Sequence, residues 1–161
     1  MIKKTVGLIV LANTQDRGLV AVLQVRGDFN TEKNNEETYR GACQLTVHGS
    51  INEGESEIDA LLRETREELG EEFTNLVQGS PLYELNRIEN EDISVTNLGF
   101  RIAEEDLEKI KNAKIRLISK EDVNNICELK PSDRECGVDE NDIAMFKDDI
   151  EAVKLAFEKF A

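Results

Sequence analysis

Between Gly49 and Glu71 the chain reads GSINEGESEIDALLRETREELGE, and this stretch restricts the fold more than any other. Ser56 can cap a helix that runs to about Leu69 and is ended by Gly70. Residues three and four apart share a helical face, so Glu64, Glu67 and Glu68 converge, with Glu57 two turns earlier on the same side. Ile58, Leu62, Thr65 and Leu69 fall roughly a third of a turn away, at about 100° per residue. One face is made for a core and its neighbour for negative charge. Like charges repel at that spacing, so the acidic face asks for a partner.

A solvated acidic face is the plain alternative. Solvated helices usually interleave Lys at four-residue spacing for mutual support, and this face has none. The preceding HGSINEGE carries Gly49 and Gly54, which let backbone come close to the carboxylates. Oxygen donors in this number suit magnesium or manganese. Calcium accepts the same ligand type, but the D-x-D-x-D-G loop of an EF-hand is absent. Zinc would want His or Cys, and the face offers neither.

The rest of the chain supplies strands and helices in alternation. Lys3–Leu11 and Leu19–Val25 are rich in Val, Ile and Leu, and the turn-forming NTQDRG between them predicts a hairpin. Arg26–Arg40 is polar and predicts a long loop; its Arg26, Lys33 and Arg40 are basic residues in an acidic chain, which suggests a position near a pocket. Cys43–Val47 reads as a short strand, as do Leu82–Ile88, Ile93–Ile102 and Lys114–Ile118. A charged helix is predicted over Glu104–Lys111, another from Ser119, a loop over KPSDRECGVDEN, and a last helix over Asp142–Phe160. In that last segment Ile143, Phe146, Ile150, Val153, Phe157 and Phe160 form an apolar stripe. It would suit a homodimer seam, but fewer than three heptads is short for a coiled coil, so packing on its own sheet is the reading. With 161 residues and no linker or repeat, the expectation is one α/β (α+β) domain over 1–161.

Composition excludes several functions. There are 34 acidic residues against 20 basic ones, a net charge of −14, which argues against unaided binding to nucleic acid or an anionic membrane. No apolar run approaches the length that crosses a bilayer, and the run after Lys3 and Lys4 has no cleavage site behind it. Cys43, Cys127 and Cys136 are odd in number and widely spaced, which fits reduced thiols in a cytoplasm. His48 is the only histidine, which leaves a cysteine nucleophile poorly served.

Gly49, Glu55, Arg63, Glu64, Glu67, Glu68 and Gly70 fall at G-x5-E-x7-R-E-x-x-E-E-x-G, and here the chain resembles the Nudix hydrolases. The order of elements around the motif is similar to a whole Nudix domain, which implies an α/β/α sandwich with a mixed sheet. The resemblance implies a hydrolase that uses magnesium or manganese to cleave a diphosphate linked to another moiety, with a nucleotide or other small diphosphate as substrate. It implies that Glu64, Glu67 and Glu68 bind metal together with the backbone carbonyl of His48. It implies also that Arg63 orients a carboxylate, with Glu55 as its support. Thr65 and Glu71 depart from the aliphatic residues usual at their positions, with little effect expected at the end of the helix.

Three departures bear on the chemistry. Many members carry a further acid just before the late strand; here KNAK stands there, and Glu104, Glu105, Asp106 and Glu108 are the nearest acids, so the general base is left open. HGS stands where many members have Gly-Gly, so His48 either contacts phosphate or is structural. Markers of particular substrate subfamilies are absent. Phe29, Tyr39, Tyr83 and Phe100 are the candidates for stacking on a base. A catalytically silent Nudix-like domain that binds a nucleotide or protein is the competing reading, and an isoprenoid-diphosphate isomerase a more distant one.

Overall fold

The computed structural model describes residues 2–27, 29–30, 35–36, 39–130 and 142–160. β1 (Lys3–Thr14) and β2 (Gly18–Val25) form the expected hairpin, with Gly18 at φ +70° where the chain reverses. The short β3 (Phe29–Asn30) and β4 (Asn35–Glu36) pair with each other; the rest of the predicted Arg26–Arg40 loop, between Gly27 and Tyr39, lies outside the described residues. Arg26 N–H donates to the Ala42 carbonyl, and Gly41 N–H to that of Arg26, so the two roots of the loop are tied together.

The predicted strand Cys43–Val47 is two strands. β5 (Cys43–Gln44) pairs with β2, and β6 (Val47–Ser50) pairs with β1. Thr46 lies at the changeover. Its hydroxyl accepts from Val10 N–H at 2.9 Å and donates to the Val22 carbonyl, two groups that belong to the β1–β2 ladder. The segment thus enters like a wedge where β1 and β2 part.

α1 (Glu57–Leu69) and α2 (Glu71–Gln78) follow, then β7 (Tyr83–Glu89) and β8 (Ile93–Ala103). β8 runs parallel to β1 from Lys3↔Ile93 to Asn13↔Ala103, and β7 is antiparallel outside it. β9 (Ile115–Ser119) closes the other side against β2. β10 (Cys127–Leu129) and β11 (Ala144–Phe146) form a small parallel pair before α3 (Lys147–Phe160).

Alternation along β1 builds two cores. Val6, Leu8 and Val10 meet Leu61, Leu69, Phe73 and Val77 of α1 and α2. Ile9 and Leu11 meet Val153, Ala156 and Phe157 of α3. The result is the mixed sheet between helices that the resemblance implied. Each large side chain buried this way contributes about 1.5–3 kcal/mol.

Several local expectations are corrected. Of the proposed core face of α1, Thr65 and Leu69 are buried, whereas Ile58 is 45% exposed and Leu62 only partly covered. Ala60 and Leu61 take their place, because the helix is rolled to bring Glu64 against β6. α2 adds a helix to the expected order, with Phe73 and Val77 one helical turn apart on its buried side. The helix predicted over Glu104–Lys111 is a 3-10 turn ending at Lys109, and the one from Ser119 is a 3-10 turn over Glu121–Asn125. Ile143 and Phe146 precede α3, because Ala144–Phe146 is drawn into the strand pair with Cys127–Leu129. The KPSDRECGVDEN loop lies outside the described residues beyond Lys130. Among the described residues no helix is long and apolar enough to cross a membrane. Cys43 is buried and Cys127 exposed, both as free thiols, and burial pushes the Cys43 thiol up, away from nucleophilic use.

In the first turn of α3, burial pushes the Asp149 carboxyl up to about 6, against the lowering effect of Arg26 and with a raising one from Asp148. A folded value above the unfolded one means that the fold favours the protonated acid, so stability falls as pH rises from the unfolded value of 3.8 through about 6. Asp149→Asn is therefore expected to raise the melting temperature by several degrees at pH 7.5 and to leave it unchanged near pH 4. An equal shift at both values would show that Asp149 acts otherwise.

Candidate active site

The site begins at a turn. Asn52 N–H donates to Glu55 Oε1 at 3.0 Å, Gly54 takes φ +81°, and Ser56 Oγ accepts from Asp59 N–H at 3.1 Å to cap α1. Two turns into the helix, Arg63 reaches back to this loop. Its Nε and Nη2 donate to the two carboxylate oxygens of Glu55, at 2.9 and 3.0 Å, and Nη2 also donates to the Ser50 carbonyl at 2.8 Å. Nη1 donates to Glu64 Oε1 at 2.8 Å and lies 3.8 Å from Glu67 Oε1. One planar guanidinium joins loop, strand end and helix, which a point-charge lysine could not do. The same bonds from Arg63 hold the Glu55 carboxyl down, to about 2, so it is ionised at any working pH.

Glu64 is 7% exposed and lies flat against β6. A Cβ at Gly49 would be 2.1 Å from Glu64 Cδ and 2.5 Å from Oε1, so only glycine leaves room for the carboxylate. The Glu67 side chain is 60% exposed, and Glu68 is half-buried with Oε2 shut off from solvent. Glu57 does not join them. Arg87 of β7 donates to both its oxygens, at 2.8 and 3.3 Å, and Thr96 Oγ to Oε1 at 3.1 Å, which draws the side chain toward β7 and β8. Among the described residues no three His, Cys, Asp or Glu side chains are gathered closely enough to cage a cation, since Glu64 is turned to Arg63 and Glu67 to solvent.

The far end of α1 is held by the segment where the resemblance would place a further acid. Lys111 N–H donates to the Leu69 carbonyl at 2.9 Å, and Asn112 adopts φ +65° beside it. KNAK therefore caps the helix and supplies no carboxylate. Of the alternative acids, Glu104 accepts from Gln15 N–H and Asp106 pairs with Lys109. Glu71 pairs with Arg66 at 2.6 Å across the break at Gly70. His48 is half-buried on β6, opposite Gly7 of β1.

The stacking candidates lie apart from the motif. Phe100 is in the core near Phe73, Tyr83 packs edge-on against Phe160 under Lys159, and Tyr39 packs against Phe146 and Arg26. The side chain of Phe29 lies outside the described residues. Two open clefts, of about 550 and 410 Å³, flank Arg101, and neither is lined by a residue of the motif. The carboxylate chemistry therefore takes precedence over cleft size in placing the site.

Comparison with known proteins agrees with the motif. The NUDIX domain model matches residues 1–133. No curated protein sequence matches the chain. Among solved structures, a mutT/nudix family protein from Listeria innocua is 19% identical, covering 98% of this chain and 92% of that one with a TM-score of 0.66. The NUDIX domain of Shewanella oneidensis NrtR, solved with ADP ribose, is 14% identical, covering 100% and 90% with a TM-score of 0.62. A MutT/nudix family protein from Enterococcus faecalis is 21% identical, covering 99% and 62% with a TM-score of 0.59. At these identities the structures speak for the fold, and the match over most of the chain decides the rest: this protein belongs to the Nudix family, hydrolases that act on pyrophosphate bonds.

Proposed function

We propose that the protein hydrolyses a nucleoside diphosphate linked to another moiety, by attack of water on phosphorus and cleavage of the P–O–P bond, with Mg²⁺ or Mn²⁺ held by Glu64, Glu67, Glu68 and the His48 carbonyl. The observation that carries this reading is the cradle at Gly49, which keeps a buried carboxylate against the strand bearing that carbonyl. The donor set is all oxygen, as these cations prefer. When bound, such a cation would neutralise phosphate oxygens and lower the pKa of water. Arg63, fixed by Glu55 and the Ser50 carbonyl, orients Glu64 and stands 3.8 Å from Glu67. Glu67, the most open of the three, is placed to shift on loading. The acids from Glu104 to Glu108 being engaged elsewhere in part, a carboxylate of the motif takes the proton from the attacking water. Residues 1–161 act as one unit in this proposal, which is supported by the packing of α3 on the same sheet that carries the motif.

The test is a panel of nucleoside triphosphates, nucleoside-diphosphate sugars, ADP-ribose and non-nucleotide diphosphates, each with Mg²⁺ and with Mn²⁺. ADP-ribose earns a place because the NrtR domain was solved with it. Turnover of at least one nucleotide is expected, lost on exhaustive chelation and restored by metal. Full turnover after chelation would sink the metal assignment. Nucleotide binding with no turnover across the panel would favour a silent binding domain.

A further inference from the structure

Strand register sets one row of residues beneath α1: Gly49 on β6, Val6 on β1, Thr96 on β8 and Arg87 on β7. Paired residues project to the same face, and this is the face on which Val6 meets Leu61. Glu64 comes down at one end of the row, against Gly49. Glu57 comes down at the other end. It accepts from Thr96 Oγ1 at 3.1 Å and from Arg87 Nη1 and Nη2 at 2.8 and 3.3 Å. The spans agree, since two helical turns rise about 11 Å and two strand spacings, from β6 to β8, cover about 10 Å. α1 therefore lies across the strands and sets down a carboxylate on either side of β1.

Glu57, Ala60, Leu61 and Glu64 form one helical stripe, and its middle, Ala60 and Leu61, is fully buried. Ile58 lies beside the stripe and stays 45% exposed. A helix settled by apolar burial alone would turn Ile58 inward, because covering a large aliphatic side chain is favourable. The observed roll instead puts a carboxylate at each end of the buried stripe, and each end has its own arginine. Arg63 serves Glu64 and ties α1 to the end of β6 through the Ser50 carbonyl. A helix held at one end can still swing and roll about that end. Arg87 supplies the second hold from β7, where Glu84 Oε1 accepts from its Nε and Nη2 at 3.1 and 2.8 Å and keeps the guanidinium in place. The bonds from Arg87 outweigh burial and hold the Glu57 carboxyl below its usual range, so this anchor is charged at neutral pH.

We infer that Arg87 is a positioning residue for the carboxylate face: through Glu57 it fixes the roll and axial setting of α1, and so where Glu64, Glu67 and Glu68 stand. The inference rests on those carboxylates binding Mg²⁺ or Mn²⁺, as proposed above. For stability the pair counts for little. The Arg87 and Glu57 side chains are 39% and 35% exposed, and ion pairs at such sites add little to folding. For position it counts for much. Side-chain tips lie about 5–6 Å from a helix axis, so a roll of about 10° moves them roughly 1 Å. Metal–ligand distances tolerate only about 0.2 Å.

Mn²⁺ binding to the substrate-free protein, read from the free-ion signal in electron paramagnetic resonance, tests this in Arg87→Met and Glu57→Gln. Each is expected to bind Mn²⁺ about tenfold more weakly, the low end for outer partners of metal ligands. The metal-free melting temperature is expected to stay within about two degrees of wild type. Arg87→Met carries the decisive sign. Loss of a cation near an acidic face would by charge alone tighten Mn²⁺ binding, so weakening reports position. Arg66→Met, which removes a cation paired with Glu71 on the same helix, is the control and should not weaken binding. The double variant is expected to be no worse than the worse single one, because both act through one contact. Arg87→Lys keeps the charge without the fork and carries the same measurements should Arg87→Met fail to fold. An Arg87→Met protein that binds Mn²⁺ as tightly as wild type, or losses that add in the double variant, overturns the inference alone. A wild type that binds no Mn²⁺ removes the metal reading and the inference with it. Weakened Mn²⁺ binding in Arg87→Met without turnover of any panel member by wild type keeps the inference and removes the hydrolase reading.

Discussion

Glu68→Gln and Glu67→Gln are expected to cut turnover at saturating Mg²⁺ by at least about a hundredfold, while the metal-free melting temperature stays within a degree or two. Outer partners of metal ligands already cost 10–100-fold when removed, so loss of a direct anionic ligand sets that as a floor. Stability moves little because two small terms oppose each other. Like charges at helical spacing cost a few tenths of a kcal/mol at an exposed site, and the amide relieves part of that. Glu67 also gives up its 3.8 Å approach to Arg63, an exposed pair worth at most about 0.5 kcal/mol. Glu67→Gln should thus be neutral, and Glu68→Gln, which keeps the shape of the side chain, should stay within the same degree or two. Melting curves without metal, paired with rates at saturating Mg²⁺, decide it. Variants that melt several degrees lower and turn over normally would make these carboxylates structural.

Gly49→Ala should damage both properties. The added methyl would sit 2.1 Å from Glu64 Cδ, closer than any relaxed contact, so strand β6 or the Glu64 side chain must move. Overpacking of this kind costs about 1–3 kcal/mol, or roughly 3–10 °C in a chain of this size. Turnover should fall by at least about a hundredfold as the carboxylate leaves its cradle. Gly54→Ala is the control: its φ of +81° makes alanine strained, but nothing lies within 4 Å of the new Cβ. It should lose about 1–2 kcal/mol and keep its rate. A Gly49→Ala enzyme as active as wild type would show that Glu64 is not needed where the structure places it.

Much of this architecture could be read from the chain alone, because the signals were local. Ser56 and Gly70 mark the ends of α1 by the chemistry of their own backbone, and the spacing of Glu64, Glu67 and Glu68 follows from one helical period. What escaped depends on contacts distant in sequence. The pattern of α1 supports two apolar stripes, and the choice of Leu61 over Ile58 is made by the space that Gly49 leaves for Glu64. α2 had a local signal in Phe73 and Val77, but eight residues between Gly70 and Gly79 are too short to set a helical period apart from a loop. The division of Cys43–Ser50 between two partner strands had no local signal, nor did the use of Lys111 as a cap for Leu69. Arg87 reads in the sequence as an ordinary polar residue of a strand. Only register shows that it stands in the row of Gly49.

The Thr46 hydroxyl, placed between Val10 and Val22, has a consequence for how this chain can change over generations. Upstream of it, β5 and the roots of the preceding loop are tied to β2; downstream, β6 and the motif are tied to β1. A single residue thus works as a clutch between the end of the loop and the start of the motif. Lengthening or rewriting the loop shifts what hangs from β2, while the alignment of Gly49 with Glu64 is set on the other side by Leu8↔Val47 and its neighbours. Changes made in the loop then leave the carboxylates in register, provided that position 46 keeps a side chain that both accepts and donates.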